Sequence, residues 1–457
     1  MSAFLTIRVG LLTLVTTAVA MLGAAWWRTA RPEPEPIGVV LITLDTTRAD
    51  RLSPYGLMDV SMPHLERLAR EGVVFDRATS VAPLTLPAHS SIFTGLFPAA
   101  HGVRDNADQP LSAERTTLAE ILKAQGFETA AFVASAVLDP GRGLDQGFHK
   151  YSGVSQTTLT GRTTSLASVE SRQRRGDEVM SDAVKWLDGI GDARFFLWTH
   201  LYDPHRPYDP PEPFRSRQFD PYIGEIAFVD SQIGRLLEAL EHRGLLDRTL
   251  VVVAGDHGES LGEHGERDHG IFLYESVLRV PLIVRGPGFA PRRVGDVVRL
   301  VDVMPTILDA LDLSAPAMDG VSLVDVMHGT RRVDLEVVAE SMYPLWFGWS
   351  PLRALRSGRF KLVDAPRPEL YDLERDPVET RNLFDDRPAL ADAMTRRLDA
   401  LAGGRHTLRD LNRGAVPAEL RDDLAALGYV TGSPMRTSAN QNNLPDPKDR
   451  IGTMSRP

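Results

Sequence analysis

Between Gly255 and Gly270 the chain places three histidines and several carboxylates in sixteen residues: Asp256-His257-Gly258-Glu259, then Glu263-His264, then Asp268-His269. Imidazole and carboxylate are the side chains that hold hard and borderline divalent cations. The segment follows Leu250-Val251-Val252-Val253-Ala254, a β-branched run that reads as a buried parallel strand. Open α/β sheets build their sites at the carboxyl ends of such strands. Asp256 and His257 therefore stand where a metal site would be built. The plain alternative is a polar surface loop, for which these residue types are ordinary.

A second window is Thr85-Leu86-Pro87-Ala88-His89-Ser90-Ser91. Pro83 and Pro87 frame a loop that runs into a short helix. A hydroxyl at a helix start lies among unbonded N–H groups, where anions collect. Thr85 is either the cap of that helix or, beside a metal that lowers its pKa, a nucleophile. Asp45 ends another apolar run, Gly38 to Leu44, just as Asp256 ends its own. Two carboxylates, an imidazole and a hydroxyl on one cation would polarise a phosphoryl or sulfuryl oxygen and activate the attacking group.

The elements that must position these residues alternate. Apolar runs at 38–44, 129–134, 195–199, 249–254 and 280–285 read as strands. Helical spacing appears at 62–71, 118–124, 226–241 and 303–311. That order implies a doubly wound α/β sheet. From about Leu335 the pattern changes to short strands separated by turns, at 337–340, 350–356, 360–363 and 369–373, a smaller antiparallel unit. The stretch from Thr431 is polar and rich in Pro, Asn and Ser, and is expected to be disordered.

The chain has 457 residues, no cysteine and a net charge of -10. It has no disulfide, no thiolate metal site and no cysteine nucleophile. The acidic balance, with no basic tract, argues against nucleic acid. Val9 to Trp27 is a 19-residue run without a charge, bounded by Arg8 and Arg28. That is close to the ~20 residues of a spanning helix, with Trp26-Trp27 as an interfacial anchor. Ala18-Val19-Ala20 offers a signal-peptidase alternative. The expectation is a single-pass anchor in the cell membrane with an extracytoplasmic, periplasmic body, or a secreted protein if the segment is cleaved. Arg31 to Pro36 then reads as a stiff linker.

From Val39 to about Tyr429 the chain resembles the sulfatase family of the alkaline phosphatase superfamily. The pieces that carry the resemblance are Leu44-Asp45-Thr46-Thr47-Arg48, Pro87 through Gly95 with His101-Gly102-Val103, and Asp203-Pro204-His205-Arg206-Pro207. They continue with Asp256-His257-Gly258, Arg279-Val280-Pro281-Leu282, Asp302-Val303-Met304-Pro305 and Leu370-Tyr371-Asp372-Leu373. The resemblance implies an α/β, alkaline-phosphatase-like doubly wound mixed sheet with a smaller C-terminal antiparallel sheet subdomain. The expected layout is an anchor and linker over 1–36, a catalytic domain over 37–334, a small subdomain over 335–430 and a tail over 431–457.

Departures from the usual sulfatase shift the implied chemistry. The family's Cys-x-Pro-x-Arg, whose cysteine becomes formylglycine, stands here as Thr85, Pro87 and His89. Its paired aspartates become Asp45-Thr46 and its Asp-Asn pair becomes Asp256-His257. Its lysine segment is replaced by Phe132-Val133-Ala134-Ser135-Ala136. The changed residues are similar to phosphoethanolamine transferases, lipoteichoic acid synthases and nucleotide pyrophosphatases, in which an acidic residue, a threonine and an Asp-His pair hold the metal.

That resemblance implies a divalent ion (Zn, Mn or Ca) on Asp45, Thr85, Asp256 and His257. Thr85 is the implied nucleophile, His205 and His269 are implied to assist the transferring group, and His89 to contact the nucleophile loop. The expected activity is hydrolysis of phosphate-type or sulfate esters, of a small molecule or of a glycan or lipid, without formylglycine. The alternatives are a membrane-anchored phospho-group transferase acting on lipid or glycan, and a true sulfuric ester hydrolase. A second metal on Asp203, His205 and His269 is a further option. His101 and Asn106 either line the pocket or fix its loop.

Overall fold

The computed structural model describes residues 37–58, 60–154, 173–218, 220–402 and 444–453. The expected membrane anchor at Val9 to Trp27 lies outside them. Among the described residues no helix is long and apolar enough to cross a membrane.

Nine strands form one mixed sheet: β1 (Gly38–Leu44), β2 (Val73–Thr79), β3 (Glu128–Phe132), β4 (Lys150–Ser152), β5 (Phe195–Leu201), β6 (Thr249–Gly255), β7 (Arg279–Val280), β8 (Leu282–Arg285) and β9 (Arg292–Arg299). Their order is β4-β3-β5-β1-β6-β8-β2-β7, with β9 paired to β2. The half from β4 to β6 is parallel. β8 runs antiparallel to both β6 and β2. The centre is β1, β5 and β6, in which every residue is buried. Their sequences are continuous apolar, β-branched and aromatic runs, as strands covered on both faces require. Each fully buried Val, Leu or Ile contributes about 1.5–3 kcal/mol, so these three strands anchor the domain.

Register does the positioning. Leu44 of β1 lies opposite Leu201 of β5 and Gly255 of β6, and Thr43 lies opposite His200. The three carboxyl ends are level, so Asp45, His200 and Asp256 emerge side by side. The link is direct: Asp45 N–H donates to Leu201 O at 2.9 Å, and Asp256 N–H to Leu44 O at 3.3 Å.

The second sheet contains β10 (Val337–Ser341), β11 (Leu352–Ser357), β12 (Phe360–Asp364) and β13 (Glu369–Asp372), antiparallel in sequence order. The helix Pro388–Ala402 packs Ala391, Met394 and Leu398 on Val338, Leu355, Leu362 and Leu370 of that sheet. Arg104, seven residues beyond Phe97, grips Glu340 of β10 through Nε at 2.5 Å and Nη2 at 2.6 Å. Residues 444–453, inside the stretch expected to be disordered, fold against this sheet. Ser350 N–H donates to Pro445 O at 2.9 Å, and Lys448 pairs with Glu369 at 3.3 Å.

The expected strand at 280–285 is divided. Pro281 has no N–H to give a ladder, so β7 ends at Val280 and β8 starts at Leu282. β2, β4, β9 and the helix Gly176–Gly189 were not expected. β9 reads Arg-Arg-Val-Gly-Asp-Val-Val-Arg, a half-exposed strand whose charges and glycine hide its period.

Candidate active site

Thr85 opens the helix Thr85–Thr94, and all ten of its residues are buried. Leu84, preceding it, is extended at φ -146° and ψ 140°, and Gly95 closes the helix at φ 67°. That left-handed closure is where glycine is favoured. Pro87 has no N–H, and Leu86 N–H donates to Asn106 Oδ1 at 2.9 Å. The Asn106 amide nitrogen has no hydrogen-bond partner and is buried. The helix thus directs its N-terminal end, with the Thr85 hydroxyl, at the strand ends.

Asp45 and Asp256 meet there. Thr85 Oγ1 is 3.3 Å from Asp45 Oδ2 and 3.4 Å from His257 Nε2. His257 Nε2 is 3.6 Å from Asp256 Oδ2 and 4.0 Å from Asp45 Oδ1. Ligand atoms of Asp45, Asp256 and His257 all lie within 4.8 Å of one another, and all three residues are fully buried. His257 Nδ1–H donates to Gly258 O at 3.0 Å, which leaves the Nε2 lone pair directed into the cluster. Gly258 is required by packing: a Cβ there would stand 2.1 Å from Ser276 O.

The electrostatics describe a site short of positive charge. Burial, then the neighbouring Asp45, push the Asp256 carboxyl well above the carboxylate range. Burial would also raise Asp45, but the hydrogen bond from His200 and the nearby imidazoles hold it below that range. Such a split marks two carboxyls sharing one proton. Burial, then His269, lower His257 to about 3. The groups acting most strongly on these three are histidines and one another, with no lysine or arginine among them. Arg48 is committed to Asp50 and Glu263.

Asp45 Oδ1, Asp256 Oδ2 and Thr46 Oγ1 are among the buried side-chain oxygens of the described residues that have no hydrogen-bond partner. An unpaired buried carboxylate oxygen is costly. Two of these beside an imidazole lone pair fit a divalent cation, so the residues present suit a metal. The protein also spends strain on the site. Thr46, β-branched, stands at φ 49°, where such residues are disfavoured. Tyr222, from the long helix Pro221–His242, holds it: its hydroxyl donates to Thr46 O at 2.7 Å and accepts from Arg48 N–H at 3.0 Å.

Two of the expected helpers line the cluster. The His269 ring lies 4.4 Å from that of His257 and 5.0 Å from that of His205. His269 Nδ1 pairs with Glu259 at 3.2 Å and Asp268 at 3.3 Å. Those three residues also bring ligand atoms within 4.8 Å, but the His269 pairing already accounts for their approach. Burial, then Asp268, push Glu259 up to about 8. His205 stacks on Tyr202 at 4.3 Å and is lowered by burial, then His269, to about 4.

His89 lies beneath the site: its Nδ1–H donates to Thr85 O at 2.8 Å, and its Nε2 is 2.9 Å from Thr43 Oγ1. Burial lowers it to about 3. Asp203 does not join a second metal. Its Oδ1 accepts Gly176 N–H at 2.9 Å, and it is in none of the groups of described residues that bring ligand atoms together. His264 stacks on Tyr274 at 3.6 Å and stays outside the cluster.

His200 and Glu259 are residues at the site to which the sequence reading assigned no role. The signal for His200 was its place at the end of a strand parallel to β1. Glu259 stood within the opening cluster of carboxylates, where nothing in the local pattern sets it apart from Glu263 or Asp268.

The sulfatase family's sequence profile matches residues 38–313, and a profile described as N-sulphoglucosamine sulphohydrolase, C-terminal, matches residues 262–403. The chain belongs to the sulfatase family and is a sulfatase-like ester hydrolase. A choline-sulfatase of Rhizobium meliloti (strain 1021) is 28% identical over 76% of this chain and 82% of its own. An ulvan-active sulfatase of Formosa agariphila is 26% identical over 77% of this chain and 78% of its own. Among solved structures, the phosphonate monoester hydrolase of Agrobacterium radiobacter superposes with a TM-score of 0.67 at 24% identity, covering 80% of this chain and 95% of that one. A protein solved with its substrate D-glucosamine-2-N,6-O-disulfate reaches a TM-score of 0.69 at 21% identity, covering 83% and 99%.

Proposed function

We propose that the protein hydrolyses phosphate-type esters, and sulfate esters by the same route, with Thr85 as its nucleophile. The observation that carries this is the Thr85 hydroxyl at 3.3 Å from Asp45 and 3.4 Å from His257, at the start of a helix. Asp45, Asp256 and His257, with Thr85, would hold a divalent ion. When bound, that ion supplies positive charge to the transferring group and lowers the pKa of a nearby hydroxyl.

The residues divide the remaining work. Thr85 Oγ attacks phosphorus or sulfur in line, and the alcohol leaves from the opposite side. The Thr85 proton has Asp45 Oδ2 as an acceptor at 3.3 Å. The Asn106 amide nitrogen, buried and without a hydrogen-bond partner, meets an oxygen of the group in transfer. His205 and His269 face the departing oxygen, and His269, paired with Glu259 at 3.2 Å, gives it the proton it leaves with; the attacking water later returns a proton to His269, and Asp45 returns the one taken from Thr85. Water then attacks the same centre and frees Thr85. A threonine ester cannot expel its group by elimination, so both steps are displacements, which suits phosphoryl transfer.

Charge narrows the substrate. Two carboxylates already balance a divalent ion, and no lysine or arginine is among the groups acting most strongly on them. A group bearing one negative charge is therefore preferred over a phosphate monoester, which carries ~1.5 to 2 near pH 7. Phosphodiesters and phosphonate monoesters meet that requirement, and two of the solved neighbours bear the name phosphonate monoester hydrolase. The run from Val9 to Trp27 supports a single membrane anchor for this body.

The test is a panel of p-nitrophenyl esters: a phosphodiester, a phosphonate, a phosphate monoester and a sulfate. The diester and phosphonate should be fastest, and Thr85→Ala should lose roughly 10³-fold or more on all four. Full activity in Thr85→Ala would sink the proposal.

A further inference from the structure

We propose that His200 and His89, neither of which reaches substrate, are positioning residues that aim Asp45 and Thr85 into the metal cluster. The inference rests on the metal-centred reading above. His200 sits on β5 opposite Thr43, one step below Asp45, and is wholly buried. Ala134 N–H approaches its Nδ1 at 3.4 Å, which assigns the ring proton to Nε2. Nε2–H then donates to Asp45 Oδ2 at 3.1 Å. With Oδ2 tied back, the other oxygen, Oδ1, has no hydrogen-bond partner and stands 4.0 Å from His257 Nε2.

His89 does for Thr85 what His200 does for Asp45. A chain of donors runs through the sheet: Trp198 Nε1–H donates to Thr43 Oγ1 at 2.9 Å, and Thr43 O–H donates to His89 Nε2 at 2.9 Å. His89 Nδ1–H donates in turn to Thr85 O at 2.8 Å. The two rings touch edge to face, 5.0 Å apart at 75°. One aromatic layer beneath the site therefore fixes both the first carboxylate and the nucleophile's backbone. Partners behind a metal ligand typically set 10–100-fold in metal affinity or activity.

Amide replacements separate positioning from mere filling of space, because they mimic opposite ring nitrogens at the two positions. At residue 200 a glutamine amide reaches where Nε2 lies and still donates to Asp45. An asparagine reaches only the Nδ1 position, so it keeps Ala134 and loses Asp45. At residue 89 the order reverses, since asparagine mimics Nδ1 and holds Thr85 O, whereas glutamine does not.

The measurement is zinc and manganese affinity of the full chain by chelator competition, with kcat and KM at saturating metal. His200→Asn should bind metal about 10–100-fold more weakly, and His200→Gln within about threefold of the parent protein. His89→Gln should lose about 10–100-fold in kcat with KM little changed, and His89→Asn should recover most of it. Equal metal affinity in His200→Asn and His200→Gln overturns the proposal. If the asparagine variant does not fold, a glutamine variant that loses tenfold or more in affinity overturns it equally. A parent protein that binds neither of these metals, nor calcium in the same assay, refutes the functional reading itself. Metal binding and hydrolysis in the parent with no difference within either pair removes only the positioning roles.

Discussion

Asp45 and Asp256 end neighbouring parallel strands and turn one oxygen each, Asp45 Oδ1 and Asp256 Oδ2, into a buried space where neither has a hydrogen-bond partner. Without a cation this pairing costs stability, because the buried Asp256 carboxyl beside Asp45 must take up a proton to avoid two like charges in a dry site. The same pairing is what a divalent ion would repay.

Asp256→Asn therefore has opposite effects on fold and function. Removing the carboxyl that must take up a proton should raise the stability of the metal-free protein by about 1 kcal/mol. A metal at 100 times its Kd stabilises the folded state by about 2.7 kcal/mol, and that increment should vanish in the variant together with hydrolysis. Thermal melts of both proteins, with chelator and with zinc or manganese, check this. A variant that melts lower than the parent in chelator would show the charge pair to be no liability.

Tyr222 controls the backbone immediately after Asp45. Its hydroxyl donates to Thr46 O and accepts from Arg48 N–H, and Thr46 sits at φ 49°. A strained residue persists only when its surroundings over-determine it. Tyr222→Phe leaves a buried carbonyl and a buried N–H unpaired, so it should cost about 1–3 kcal/mol and lower kcat/KM as Asp45 loses its set. Urea unfolding and steady-state kinetics read the two effects. An unchanged kcat/KM would detach the strain from the chemistry.

The central strands were legible because burial on both faces writes itself as uninterrupted Val, Ile, Leu and Phe. The level ends of β1 and β6 followed from the same runs, and with them the neighbourhood of Asp45, Thr85, Asp256 and His257. His200 was legible as a strand-end histidine but not as the partner of Asp45, since a sequence does not reveal that Thr43 lies opposite it. Asp203, two residues before His205, looked like a ligand by proximity; its side chain instead accepts Gly176 N–H. The left-handed Thr46 had no signal either, because threonine is not the residue that conformation favours. Strands of mixed polarity such as β9 stayed hidden because pairing to β2, not local pattern, makes them strands.

His101 ties the far end of the nucleophile helix to pH. Its Nε2–H donates to Ser91 Oγ at 3.0 Å, and its Nδ1 accepts Val103 N–H at 3.1 Å, so the bonded form is neutral. Burial, then Arg115 and Arg104, lower it to about 3. The folded value lies below the ordinary 6.5 of an exposed histidine, so between these limits the unfolded chain binds the extra proton. The contribution is complete above about pH 6.5 and is lost as pH falls toward 3, at up to about 1.4 kcal/mol per unit. His89, His205 and His257 are lowered in the same sense, so the parent protein should lose stability steeply in acid. His101→Gln keeps an uncharged side chain with both a donor and an acceptor, so its loss between pH 6.5 and 4 should be shallower by as much as one proton's slope. Urea unfolding across that range decides the matter, and parallel curves for the two proteins would mean that His101 is not a source of the acid sensitivity.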